Sequence, residues 1–174
     1  MRKFFVIAAI VLLFGLVVNQ YLGGFKSLDA KIVPSRDIVV RGKMFEGSYK
    51  QDDLKHTIDS LRDQISSGKL AGELVIVNYF NDKDEKIGRL KQFVGIAANH
   101  SLEDTTSSRE VDTRDFALSK VVRTRIPIRG LVMPSPERIK RNAAKVAGKA
   151  GKKIGAFSIE RYSDQWLIVD IPLN

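Results

Sequence analysis

The chain has no cysteine in its 174 residues. That excludes disulfide frameworks, thiolate metal sites and thiol nucleophiles, and it leaves the redox compartment open. Histidine is almost as scarce. His56 and His100 stand apart, with no carboxylate or histidine partner at ligand spacing, so no metal site is expected and haem is not expected at His56. No glycine-rich phosphate loop and no serine-triad pattern occurs, so any enzymology must rest on carboxylates and tyrosines, and no cofactor is expected. There is a single tryptophan, Trp166, and no basic run interleaved with aromatics, so nucleic acid is not the expected partner in spite of a net charge of +9. That charge attracts phosphates, and an anionic membrane surface offers them equally well.

Charge is also missing locally. "MRKFFVIAAIVLLFGLVVNQYLGGFK" has Arg2 and Lys3 and then no charge from Phe4 through Phe25. The strongly apolar part, Phe4 to Val18, is short for a span, but Tyr21, Leu22 and Phe25 extend it to the roughly 20 residues a bilayer needs. Residues 1–25 are therefore read as an N-terminal transmembrane helix and anchor, with 26–36 as a juxtamembrane linker. A cleaved signal peptide is the alternative, although the bulky Val18-Asn19-Gln20-Tyr21 offers no small-x-small cleavage site. The expected protein is single-pass, its folded part on the extracytoplasmic side because Arg2 and Lys3 favour an inside N-terminus. Lys26, Lys31, Arg36, Arg41 and Lys43 pull the other way.

The remainder is enough for one core. "DIVVRGKMF" reads as a strand, and Gly47 as the turn that leads into a helix capped by Asp52 or Asp53. In that helix Leu54, Ile58, Leu61 and Ile65 form one apolar stripe, and Gly68 ends it. "ELVIVNYF" and "RLKQFVGIAA" follow as strands around a hairpin turn. Residues 99–114 are polar and patternless, as in a loop. Then the order recurs: strand "KVVRTRIPI", a helix after Ser135 and Pro136, strands "KIGAFSIERY" and "QWLIVDIPL". Ile139, Ala143, Val146 and Ala150 repeat the first helix's spacing 85 residues later. The pattern is an internal duplication of strand-helix-strand-strand units, 37–98 and 115–174, within one domain over 37–174. It predicts an α+β fold, one mainly antiparallel sheet with two helices on one face and an open concave face for a ligand.

The signatures "FEGSY" (45–49), "IVNYF" (76–80) and "LIVDIPL" (167–173), in this order, resemble the GyrI-like small-molecule-binding family, the effector-binding domain of multidrug-responsive regulators. The resemblance spans about 36–174. It implies a cleft for an apolar, possibly cationic small molecule; some members of the family are hydrolases that use a cleft carboxylate and a tyrosine. The family's closing glutamate is Asp170 here. The same fold resembles the haem-binding SOUL group and a membrane-anchored autophagy receptor. That receptor type carries a recruiting tail, whereas Asn174 follows the last strand directly, so a structural or receptor role ranks below ligand binding and hydrolysis.

Candidate ligand contacts follow. Tyr49 corresponds to the rim aromatic of the family, or packs on the first helix. Tyr79 shares a strand face with Val75 and Val77, either of whose faces can be core. In the last strand Leu167, Val169, Ile171 and Leu173 suit a face under the helices, leaving Trp166 and Asp170 on the opposite face. A carboxylate there needs a ligand cation or a pair with Arg123 or Arg125. The second helix carries seven cations from Arg138 to Lys153 against Glu137. Lys145, Lys149, Lys152 and Lys153 are either a solvated face or a contact for anionic headgroups.

Overall fold

The alternating apolar runs become strands of one sheet, and the two stripes at helical spacing become helices. The computed structural model describes residues 4, 5, 7, 10–15, 28–48, 52–80, 89–97, 111–128, 133–163 and 165–174. The elements are β1 (Ala30–Pro34), β2 (Ile38–Ser48), α1 (Asp52–Ser66), β3 (Glu73–Tyr79), β4 (Arg89–Ala97), β5 (Asp112–Phe116), β6 (Lys120–Pro127), α2 (Pro136–Lys149), β7 (Phe157–Tyr162) and β8 (Trp166–Pro172). The sheet order is β1-β6-β8-β7-β3-β4-β2-β5, with every neighbouring pair antiparallel. The fold is α+β.

Exchanging β1 with β5, β2 with β6, β3 with β7 and β4 with β8 reverses this order onto itself. The two units are thus related by a pseudo-two-fold axis between β3 and β7, which is what a duplication leaves behind. Each unit is one strand longer than expected. β1 falls inside the predicted linker 26–36, and β5 begins inside the predicted loop 99–114. Both cross to the other unit: Ile32 pairs with Val122 and Arg114 with Val40. As edge strands they are short, and "DTRDF" is almost wholly polar, features that protect an edge from further pairing and that hide a strand from periodicity.

Both helices lie on one face. Leu54, Ile58, Leu61 and Ile65 of α1 cover Leu74, Ile76 and Val94. Ile139, Ala143, Val146 and Ala147 of α2 cover Val122, Ile126, Leu167, Val169 and Ile171. Ala147 takes the place expected of Ala150, which is an exposed C-cap residue. Ser135 caps α2, its Oγ accepting from the Arg138 N–H at 3.3 Å, with Pro136 next in line. Gly68, just beyond α1, has φ +71°, a conformation that favours glycine. Gly47 is not a turn: β2 runs through it, paired with Leu90.

The face away from the helices differs from expectation. Phe116 on β5 and Val121 on β6 stand near opposite ends of the strand order, yet share one buried cluster with Val40, Val75, Val77, Phe93 and Ile159. The sheet therefore curls on itself, and this face is filled by its own side chains, including tilted ring pairs Phe93–Phe116 at 6.3 Å and Phe116–Phe157 at 5.5 Å. Gly42 lies opposite Gly95 between β2 and β4, where a Cβ on Gly95 would stand 2.2 Å from the Arg41 carbonyl oxygen. Two side chains are left out so that two backbones can approach.

At the N-terminus, residues 10–15 are helical. Among the described residues no helix is long and apolar enough to cross a membrane. The rest of the expected span, 16–25, lies outside the described residues.

Candidate ligand-binding cleft

The open space is on the helix side. α1 sits over β3 and β4, and α2 sits over β1, β6 and β8. The seam between them, above the pseudo-two-fold axis, is a cleft of about 330 Å³. Leu54 and Ile58 form one wall, Pro136, Ile139 and Lys140 the other, with Ile76, Val169 and Ile171 in the floor. Its size and its apolar walls can hold a small molecule, and polar side chains line its floor and rim.

The polar groups come from strand alternation. In "FSIERY" Ser158, Glu160 and Tyr162 point to the helix side, while Ile159 belongs to the opposite core. Glu160 pairs across the axis with Ile76, and Ser158 with Asn78. The Tyr162 hydroxyl donates to Glu160 Oε2 at 2.8 Å. Asn78 also hydrogen-bonds the Glu160 carboxylate and donates to Ser158 Oγ at 3.5 Å. The Gln92 amide donates to Asn78 Oδ1, and its own Oε1 is buried without a partner among the described residues.

Burial pushes the Glu160 carboxyl above the usual carboxylate range, against the opposing effect of the bonds from Tyr162 and Asn78. Burial also raises the Tyr162 hydroxyl, and the charge and hydrogen bond of Glu160 raise it further. Tyr162 therefore acts as a donor to Glu160. A half-buried carboxylate that lines the cleft can accept a cation or an N–H donor, and it can also take up and release a proton. At the rim Lys140 Nζ lies 4.6 Å from the Phe80 ring centroid. Glu137, also at the rim, has its carboxyl lowered by a backbone hydrogen bond and by the Ser135 hydroxyl.

The residues singled out in the sequence are not gathered here. Tyr49 lies outside the described residues. Tyr79 borders the cleft, but its ring packs on the opposite face, 6.2 Å from Phe157, with its hydroxyl accepting from Arg114 Nη1 at 3.5 Å. The alternation read in β8 holds: Leu167, Val169 and Ile171 lie under α2. It sends Asp170 away from the cleft, because the cleft is on the helix side. Asp170 accepts from Arg123 Nε at 2.7 Å and Nη2 at 2.8 Å, and from Arg161 Nη2 at 2.9 Å. Its side chain is 3% exposed. The pair with Arg123 considered as the alternative is the one that forms, so Asp170 is corrected from ligand contact to buried counter-ion. Glu73 extends the network, 3.7 Å from Arg161, and burial raises its carboxyl against the pull of Arg161. Trp166 is exposed on that same far face. Lys145, Lys149, Lys152 and Lys153 are exposed, at and just after the end of α2.

Glu160 and Tyr162 were the residues that sequence reasoning passed over. Their signal was present: three polar groups at alternate positions in a strand whose other positions are apolar.

No protein-family model matches the chain, and no curated protein matches its sequence. Solved structures match its fold. The C-terminal domain of EcmrR superposes with a TM-score of 0.57 at 11% identity, covering 84% of this chain and 98% of that one. The two share one architecture. A hydrolase from Listeria innocua superposes at 0.55 with 10% identity, covering 90% of this chain and 98% of its own. An integron cassette protein from the mobile metagenome of Vibrio cholerae gives 0.51 at 12% identity, covering 84% and 97%. At such identities the likeness is one of architecture.

Proposed function

We propose that the chain binds an amphiphilic small molecule in the cleft between α1 and α2, with Glu160 as the main polar determinant. The observation that carries this is a carboxylate raised by burial at the floor of a cleft walled by Leu54, Ile58 and Ile139, and oriented by Tyr162 and Asn78. The ligand places a cationic or N–H-bearing end on Glu160 and an apolar body between Leu54, Ile58 and Ile139. The GyrI-like fold supports the reading. The uncharged run from Phe4 to Phe25 supports a single-pass membrane-anchored form with the domain on the extracytoplasmic side.

Hydrolysis is the second reading, favoured by the Tyr162–Glu160 pair and by the likeness to a Listeria hydrolase. Glu160 would take a proton from a water attacking an electrophilic ligand, and the raised carboxyl suits that role. A thermal-shift screen of aromatic amines, amidines and electrophiles on the full chain in non-ionic detergent tests both readings. Glu160→Gln is expected to weaken a cationic hit at least about tenfold, the loss of one charged hydrogen bond. An unchanged affinity sinks the assignment of Glu160. Release of product from an electrophilic hit, abolished in Glu160→Gln and slowed in Tyr162→Phe without loss of affinity, decides for the hydrolase.

A further inference from the structure

The outer surface of α2 is used neither by the core nor by the cleft. Ile139, Ala143 and Ala147 face the sheet, and Pro136, Glu137 and Lys140 border the cleft. Arg138, Arg141, Lys145 and Lys149 recur at three- and four-residue spacing and form one stripe on the remaining side, prolonged by Lys152 and Lys153. Among the described residues Lys145, Lys149, Lys152 and Lys153 make no ion pair with a carboxylate. The neighbouring helix is of the opposite character: α1 carries Asp52, Asp53, Asp59 and Asp63 against Lys55 and Arg62. The helix layer is therefore polarised, with one basic side only.

A second, independent observation says where that side faces. Asn142, one turn from both Arg138 and Lys145, donates from Nδ2 to the Leu28 carbonyl oxygen at 3.2 Å. Leu28, Ala30 and Ile32 pack into the α2 cluster. The chain thus joins the domain along the flank of α2 that adjoins the basic stripe, only a few residues after the uncharged run that ends at Phe25. If that run is in a bilayer, β1 and the α2 flank it packs on follow it directly in the chain.

We propose that the basic stripe of α2 rests on anionic lipid headgroups and fixes the orientation of the domain on the membrane. This rests on the anchored reading for its geometry. Lys145, Lys149, Lys152 and Lys153 supply the attraction, additive over several cations near the surface and screened by salt. The acidic α1 is repelled and turns outward.

The chain lacks cysteine, so one reporter can be placed without interference. Gly148 lies within the stripe, exposed, and a Cβ there meets nothing within 4 Å. The full chain carrying Gly148→Cys, labelled with a fluorophore, is mixed with phosphatidylcholine vesicles, with or without about 30% phosphatidylglycerol, containing a headgroup-level quencher lipid. Quenching is expected only in the anionic vesicles. It falls at least about tenfold in the Lys145→Gln, Lys149→Gln, Lys152→Gln, Lys153→Gln variant and is lost in about 0.5 M salt. Equal quenching in both vesicle types, or none of this dependence on the four lysines, overturns the proposal. Tighter binding to random-sequence duplex DNA than to anionic vesicles at the same salt overturns it in favour of nucleic acid. Alkaline carbonate extraction scores the anchor separately: a chain released by carbonate that still co-sediments with anionic vesicles in a lysine-dependent way loses the anchor and keeps the stripe.

Discussion

Replacing Asp170 with Asn separates the buried ion network from the cleft. The carboxylate, 3% exposed, accepts three charge-assisted hydrogen bonds between 2.7 and 2.9 Å from two guanidinium groups. The amide keeps the shape but turns an N–H toward an arginine and leaves two cations with only the more distant Glu73 carboxylate. Removing one partner of a buried pair costs about 3–5 kcal/mol. The lower end applies here, because the Arg123 and Arg161 side chains are 25% and 22% exposed and Glu73 lies 3.7 Å from Arg161. At about 2–4 °C per kcal/mol for a chain of this size, a loss of about 3 kcal/mol lowers the melting temperature by about 6–12 °C. Thermal melts and urea titrations of the full chain at neutral pH measure it. The same variant, held well below its melting temperature, is expected to bind any cleft ligand as the wild type does. A melting temperature within about 2 °C of wild type refutes the network's role, and a ligand affinity that falls while the fold is intact refutes the placement of the site.

Three further outcomes follow from particular contacts. Burial raises the Glu160 carboxyl, so its contribution to stability is fully present below the ordinary carboxylate pKa and is lost as pH rises through the raised folded value. Glu160→Gln should therefore gain stability relative to wild type in urea titrations as pH rises above the ordinary carboxylate range, with Glu73, shifted the same way, common to both proteins; a pH-independent difference contradicts the burial argument. Gly95→Ala forces a Cβ toward the Arg41 carbonyl oxygen and should destabilise by at least about 2 kcal/mol, seen as a lowered melting temperature; an unchanged melt means that the two backbones are not in close approach. Ser135→Ala removes the α2 cap and should cost about 1 kcal/mol by the same measurement, restored by Ser135→Asp.

The parts of the fold that sequence made legible are those where burial imposes a period. The stripes of α1 and α2, the alternation of β3 and the apolar face of β8 are one-sided packing written as residue spacing. β1 and β5 were illegible for the opposite reason: each gains most of its stability from pairing with the other unit, a long-range bond that leaves no local pattern. The burial of Asp170 has a geometric reason. Alternation puts Asp170 opposite Leu167, Val169 and Ile171, on the face that the helices leave uncovered. The curl of the sheet closes that face with Phe93, Phe116 and Ile159, contacts between distant strands that spacing alone does not reveal.

The two-fold strand topology explains the position of the cleft, and the unlike residues on its two sides shape the floor. Two units related by a two-fold axis bring their helices down on either side of it, so the gap between helices lies over β3 and β7, the inner strand of each unit. Faithful copies would place matching groups on both sides of the axis. A carboxylate on each of two directly paired positions would hold like charges about 5 Å apart in a poorly hydrated floor, a repulsion that one proton or a doubly charged ligand would have to relieve. Here the residue across from Glu160 is Ile76, and Asn78 faces Ser158. The floor is charged on the β7 side and apolar or neutral on the β3 side. A ligand that fits such a floor has one polar end, directed at Glu160 beneath Tyr162, and an apolar remainder that lies toward Leu54 and Ile58. Exchanging the pair, Glu160→Ile with Ile76→Glu, should keep the floor's charge and turn the proposed ligand end for end.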